Sequence, residues 1–216
     1  MFVKEFRMIN KYIAEYSEDF KYEFSENLNY EICGIIAKVD VWEYNSDYNY
    51  REKAHVLLEK GDLKYECDCF DHHRWDNMFY PLNMNGNEYL LFRKTLYGFT
   101  LLNTDTLTET YDYFPEIVLN GEESFIIVDA KMLGDVIIFD GCYWACPYVC
   151  IAYDPQTELF VNLSDEYGIT NDETIINGDI LVWRGMNGNH EKKEITVTTD
   201  EIQRLLRRQG KSLSFL

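Results

Sequence analysis

The sequence predicts a mainly β fold made of antiparallel meander repeats, with an amphipathic helix at its amino end and a short helix at its carboxyl end. Three observations carry this reading. The first is a phrase used three times: Met84-Asn85-Gly86-Asn87-Glu88-Tyr89-Leu90-Leu91-Phe92 is echoed by Met132-Leu133-Gly134-Asp135-Val136-Ile137-Ile138-Phe139 and by Ile176-Asn177-Gly178-Asp179-Ile180-Leu181-Val182-Trp183. Each copy is an apolar residue, a Gly turn, a small polar residue and a run of residues that reads as a strand. The copies start 48 residues apart (132 minus 84) and then 44 apart (176 minus 132), the length of a four-stranded unit and not of a helical repeat. The second observation is a set of four dipeptides, Asn85-Gly86, Asn120-Gly121, Asn177-Gly178 and Asn187-Gly188, each suited to a type I′ hairpin turn because both residues tolerate positive φ. The third is an aromatic content of 16 %, with 17 Tyr and 13 Phe, which favours strands over helices and argues against disorder. A chain of 216 residues can bury a sizeable core, and a single domain over 1–216 is expected.

In chain order, Phe2, Phe6, Ile9, Ile13, Tyr16 and Phe20 alternate spacings of four and three, which draws one apolar stripe along a helix over residues 1–20. That helix is expected to pack on the sheets, with a dimerisation face as the alternative, so a homo-oligomer is possible. Tyr22–Phe24, Tyr30–Val41 and Ala54–Leu58 read as strands, and Asn45–Asn49 as a polar loop.

Metal-ligand residue types cluster in Cys67-Asp68-Cys69-Phe70-Asp71-His72-His73. Two cysteines two apart on a strand face the same way, and the histidines follow in a loop, so Cys67, Cys69, His72 and His73 are the candidate zinc ligands. Zinc sites usually place two to four residues between paired cysteines, and no second pair is nearby. Packed thiols beside exposed histidines are therefore the plainer reading, and no cofactor is expected. In the second cluster, Cys142, Cys146 and Cys150 have helical spacing, but Pro147 forbids an interior helical hydrogen bond.

After the first two phrases comes a second strand, a tight turn and a third strand. These are Tyr97–Leu102, Asn103–Thr106 and Leu107–Tyr113 in one copy, and Tyr148–Tyr153, Asp154–Thr157 and Glu158–Leu163 in the other. Gly98–Thr106 and Val149–Thr157 align without gaps at an offset of 51 (149 minus 98). Ser124–Asp129 supplies a strand ahead of the second copy, and Glu194–Val197 the second strand of the third. In period, strand count and turn placement, residues 84–198 resemble the blades of WD-repeat-type β-propellers, although the Trp-Asp and Gly-His signatures are missing. The resemblance implies a propeller-like interaction platform; a β-sandwich or an open stack of meanders is the alternative.

Residues 199–210 read as a helix. Thr198 and Glu201 form a capping box, Ile202, Leu205 and Leu206 the buried stripe, and Gly210 the stop. Arg204, Arg207, Arg208 and Lys211 gather at its end, where cations complement the helix dipole. The chain contains no Gly-rich phosphate loop, no Gly-x-Ser-x-Gly elbow and no His-Glu-x-x-His.

Net charge is −18, and its distribution is sharper than its sum. Residues 95–183 hold 16 acids against one base, Lys131, whereas residues 184–216 hold four acids and seven bases. Such a field repels nucleic acid and attracts cationic surfaces. No apolar run approaches the roughly 18 to 20 residues that span a bilayer, and Met1-Phe-Val-Lys-Glu-Phe carries no leader pattern, so a cytoplasmic protein with free thiols is expected. Together these features point to a non-catalytic acidic binding protein with a basic protein partner, without direct nucleic-acid or membrane binding. Inhibitory or immunity-type occlusion of a toxin or nucleic-acid-binding surface is the most economical role. The expected contact residues are Glu109, Asp112, Glu116, Glu122, Glu123, Asp154, Glu158, Asp165 and Glu166, with Trp144. A zinc protein or enzyme built on the Cys67–His73 cluster, and a plain assembly scaffold, are the competing classes.

Overall fold

The computed structural model describes residues 21–46, 49–70, 75, 78–115, 118, 124–143 and 147–212. The expected helix over 1–20 lies outside the described residues, as do His72, His73, Glu116, Glu122, Glu123 and Trp144. The fold is mainly β, in four antiparallel sheets, none of which closes into a barrel among the described residues. The chain divides into two compact units, one of Met1–Leu82 and Asn87–Leu119, the other of Asn83–Gly86 and Asn120–Leu216.

In the first unit, β1 (Glu23–Ile32), β2 (Ile35–Ser46), β3 (Asn49–Lys60) and β4 (Leu63–Phe70) form a meander in chain order. Strict alternation makes one face apolar: Ile35, Ala37, Val39 and Val41 on β2 and Ala54, Val56 and Leu58 on β3 are buried, while Ile36, Lys38 and Asp40 between them are not. The stretch Tyr30–Val41, expected as one strand, is a hairpin. Cys33 and Gly34 both take positive φ, 51° and 69°, as a type I′ turn requires, and the strong β propensity on either side hid the break. The expected polar loop Asn45–Asn49 is mostly strand, because β2 runs to Ser46 and β3 begins at Asn49. A second sheet follows in the order β5 (Tyr80–Met84), β6 (Asn87–Phe92), β7 (Phe99–Asn103) and β8 (Thr108–Tyr113), all of it in this unit except Asn83 and Met84 at the end of β5. Leu90, Phe92, Leu102 and Leu107 join the buried face of β2 and β3, with Trp75, Met78 and Phe79, in one core.

In the second unit, β9 (Phe125–Leu133), β10 (Val136–Tyr143), β11 (Val149–Asp154) and β12 (Leu159–Asn162) form another meander, which the short β16 (Lys211–Ser212) extends at β12. A three-stranded sheet of β13 (Glu173–Asn177), β14 (Ile180–Met186) and β15 (Lys192–Thr198) completes the set. Helix α1 (Leu163–Tyr167) joins the two sheets, and α2 (Thr199–Gln209) follows β15. Val136, Ile138, Cys150 and Ala152, Leu181 and Trp183, and Ile202, Leu205 and Leu206 of α2 share one core.

The three Gly phrases fall at one place: each closes the first hairpin of its sheet, β5–β6, β9–β10 or β13–β14. Only at Asn85-Gly86 do both residues take positive φ, 53° and 78°. At the other two phrases only Gly134 and Gly178 do, at 58° and 64°. Asn187-Gly188 is not a type I′ pair either. Asn187 instead organises its loop through its side chain, whose Oδ1 accepts from the backbone N–H groups of Asn189 and Glu191. The capping box at α2 is present, with Thr198 Oγ1 accepting from Glu201 N and the Glu201 carboxylate from Thr198 N at 2.8 Å. Gly210 ends α2 at φ −58° rather than in the left-handed region; a Cβ there would lie 2.4 Å from Leu206 O, so close approach and not turn handedness selects glycine.

Candidate functional site

The second unit contains an open groove of about 710 Å³ whose lining includes Pro147, Val149, Ile169, Met186, Asp165 and Asp172. One wall is α1, which the sequence analysis missed although its signals are present. Asn162 Oδ1 accepts from Asp165 N at 3.1 Å as an N-cap, and Gly168 closes the helix at φ 66°. Ser164, buried at the start of α1, accepts from Cys150 N–H at 2.9 Å and so ties the helix to β11.

The groove is preformed by a strap over residues 169–172. Thr170 N donates to Met186 O and Met186 N to Thr170 Oγ1, at 2.9 and 3.0 Å. Asn171 N donates to Tyr148 O and Asp172 N to Arg184 O, both at 2.7 Å. Gly185 permits this approach, since a Cβ there would lie 1.9 Å from Thr170 O. From beneath, the Asp140 carboxylate accepts from Asn171 Nδ2 and Thr174 Oγ1, both at 2.7 Å, with Lys131 Nζ at 3.4 Å. Burial pushes the Asp140 carboxyl above the usual carboxylate range, against the Thr174 hydrogen bond and the Lys131 charge. Lys131, the lone base of the acidic block, is thus engaged inside it, also pairing with Asp129 at 2.6 Å.

The structure sorts the thirteen described carboxylates among that block's sixteen. Glu109 and Asp112, expected on the surface, are turned inward against Lys94, one residue before the block begins. Lys94 Nζ lies 2.7 Å from Glu109 and 3.5 Å from Asp112, and its side chain is 7 % exposed. Tyr65 donates to the same Glu109 oxygen at 2.5 Å, and Thr100 donates to Asp112 Oδ1. Asp112 Oδ2 is buried without a hydrogen-bond donor, and burial raises its carboxyl above the ordinary range despite Lys94. Lys94 itself stays charged: burial pulls it down, but Asp112 and Glu109 together hold it above the ordinary lysine range.

Asp154 is also internal. It is buried, with Oδ1 accepting from Gln156 N and Oδ2 from Thr157 Oγ1, so it organises its own turn. Asp105 pairs with Lys60, Glu166 with Arg208 and Glu173 with Arg184. Asp135, Glu158, Asp165, Asp172 and Asp179 remain exposed and make no ion pair with a described residue. Of these, Asp165 and Asp172 line the groove. Of the expected contact residues that the structure describes, Asp165 lies at the groove, Glu158 and the Arg208-paired Glu166 are exposed outside its lining, Asp112 and Asp154 are buried, and Glu109 is turned partly inward.

Cys67 and Cys69 do face the same way on β4, with their sulfurs 3.8 Å apart. Among the described residues, no group of three or more His, Cys, Asp and Glu side chains is placed to hold a metal ion. Nor is any described helix long and apolar enough to cross a membrane. No protein-family model, curated protein or solved structure matches the chain.

Proposed function

We propose that the chain is a non-catalytic binding protein whose second unit takes a basic, partly apolar segment of a protein partner into the groove, and that its role is inhibitory: an immunity-type protein that occludes a cationic toxin or nucleic-acid-binding surface. The supporting observation is the pairing of an apolar floor, Val149, Ile169 and Met186, with two exposed carboxylates, Asp165 and Asp172, that no cation of the described chain neutralises. An extended segment alternates its side chains, so lysine or arginine reaches the carboxylates while the intervening apolar residues face the floor. The surrounding negative charge speeds encounter with such a partner and repels nucleic acid. A blade-like platform fits this role, and two successive four-stranded meanders with matching turns support the blade reading.

The test is isothermal titration with a synthetic hexapeptide of alternating lysine and leucine. Asp165→Asn and Asp172→Asn should each weaken binding roughly two- to fivefold, the range of a partly exposed ion pair. Asp135→Asn, on a carboxylate away from the groove, should leave the affinity unchanged. Equal effects of all three would reduce the interaction to net charge and refute the groove as the site.

A further inference from the structure

We propose that Cys67 and Cys69 form a dithiol that a low-molecular-weight disulfide oxidises reversibly to a Cys67–Cys69 disulfide. The sulfurs are already in contact at 3.8 Å, on the same face of β4. Their exposure differs in the way a two-step exchange requires: Cys67 is partly exposed, and Cys69 is fully buried in the core. Among the described residues β4 is an edge strand whose one ladder is with β3, with Phe70 N–H also donating to Lys94 O at 2.7 Å, so the strand can pucker at Cys67 without breaking a second ladder.

In the first step the Cys67 thiolate attacks the small disulfide; a Cys67 mixed disulfide forms, the small S–S bond breaks and one thiol leaves with a proton. In the second, the Cys69 thiolate attacks the Cys67 sulfur and releases the second thiol. Two electrons pass from the cysteine pair to the small disulfide, and two protons end on its two thiol products. The second step is the slower. The Cys69 thiol is held above the ordinary thiol range, first by its contact with Cys67 and then by burial, with Lys94 pulling the other way.

Two residues of strand span about 6.8 Å, the upper limit of the Cα separation a disulfide bridges. The closed form therefore strains β4 and is easily reduced, the behaviour of a reversible bond and not of a structural one. Closure also pulls on the neighbouring Tyr65, whose hydroxyl reaches Glu109 of the second sheet at 2.5 Å.

The test uses the full chain and oxidised glutathione, followed by alkylation and tryptic digestion. Residues 65–74, between Lys64 and the cleavage after Arg74, form one peptide that carries Cys67 and Cys69 and no other cysteine. The expected result is that this peptide becomes lighter by two hydrogens, takes no alkylating agent, and recovers both thiols on reduction. Cys69→Ser should instead accumulate glutathione on Cys67, and Cys67→Ser should take up glutathione in this peptide at least about tenfold more slowly. Stable glutathione on Cys67 of the unaltered chain, pairing of either residue with a different cysteine, or continued alkylation of both would overturn the proposal.

Discussion

Leu107 and Glu158 hold the same place in two turns 51 residues apart (158 minus 107), and both take left-handed backbone, at φ 47° and 57°. The turns before them are built alike. Asn103 Oδ1 accepts from Asp105 N and Thr106 N in one, and Asp154 Oδ1 accepts from Gln156 N in the other. Side chain, not glycine, thus sets both turns, and the repeat extends one residue beyond the aligned stretch Gly98–Thr106 and Val149–Thr157. The packing at the two positions is opposite, since Leu107 is buried and Glu158 exposed. Left-handed backbone costs a non-glycine residue about 1 to 2 kcal/mol. Glu158→Gly should therefore leave stability unchanged or raise it by up to about 1 kcal/mol, whereas Leu107→Gly should lose about 2 to 5 kcal/mol with its core side chain. Urea denaturation of the two variants checks this; equal losses would contradict the shared turn.

Lys94 is the countercharge of an inward cluster. Lys94→Met should destabilise by about 3 to 5 kcal/mol, because it leaves Glu109 and Asp112 without a cation. Asp112 bears on pH. Its folded carboxyl lies above the usual carboxylate value, so the folded state binds a proton more tightly than the unfolded chain does. Asp112 therefore stabilises below the ordinary carboxylate range, and that contribution is lost as pH rises through the raised folded value. Asp112→Asn should flatten the fall in stability that sets in as pH rises above the ordinary carboxylate range. An unchanged slope would mean the carboxyl is ordinary.

Asp140 holds the groove from below through Asn171 and Thr174. Asp140→Ala leaves the buried Asn171 Nδ2 without its acceptor, while Thr174 Oγ1 keeps Asn171 Oδ1 at 3.0 Å, and a loss of about 1 to 3 kcal/mol is expected. Amide exchange of Thr170, Asn171 and Asp172 should quicken more than that of β10 and β11 if the carboxylate fixes the strap. Uniform acceleration would make Asp140 a general stabiliser instead.

The strand repeats were legible because alternation and turn chemistry are local. The α2 capping box and its stripe of Ile202, Leu205 and Leu206 were legible for the same reason. The hairpin at Cys33-Gly34 was missed since no Asn precedes the glycine, and α1 since five residues are too few for a hydrophobic period. The candidate site was legible only in sign. Sequence placed the acidic block, but which carboxylates face water depends on partners distant in the chain: Lys94 draws Glu109 and Asp112 inward, and Arg208 takes Glu166, 42 residues away. Asp172 is held at the groove by the strap's hydrogen bonds, its own N–H donating to Arg184 O, a partner twelve residues away.

The most direct test follows the Met186 methyl group by carbon-13 NMR while the lysine–leucine hexapeptide is titrated in, at ionic strengths from about 0.01 M to about 1 M, over which the screening length falls from about 30 Å to about 3 Å. Met186 lines the groove floor, 39 % exposed, so occupancy of the site shifts its signal. The account expects a saturable shift whose affinity falls steeply with salt and is weakened by changing Asp165 and Asp172 to Asn. A Met186 signal that stays in place while the peptide binds elsewhere, or an affinity indifferent to salt, would contradict it.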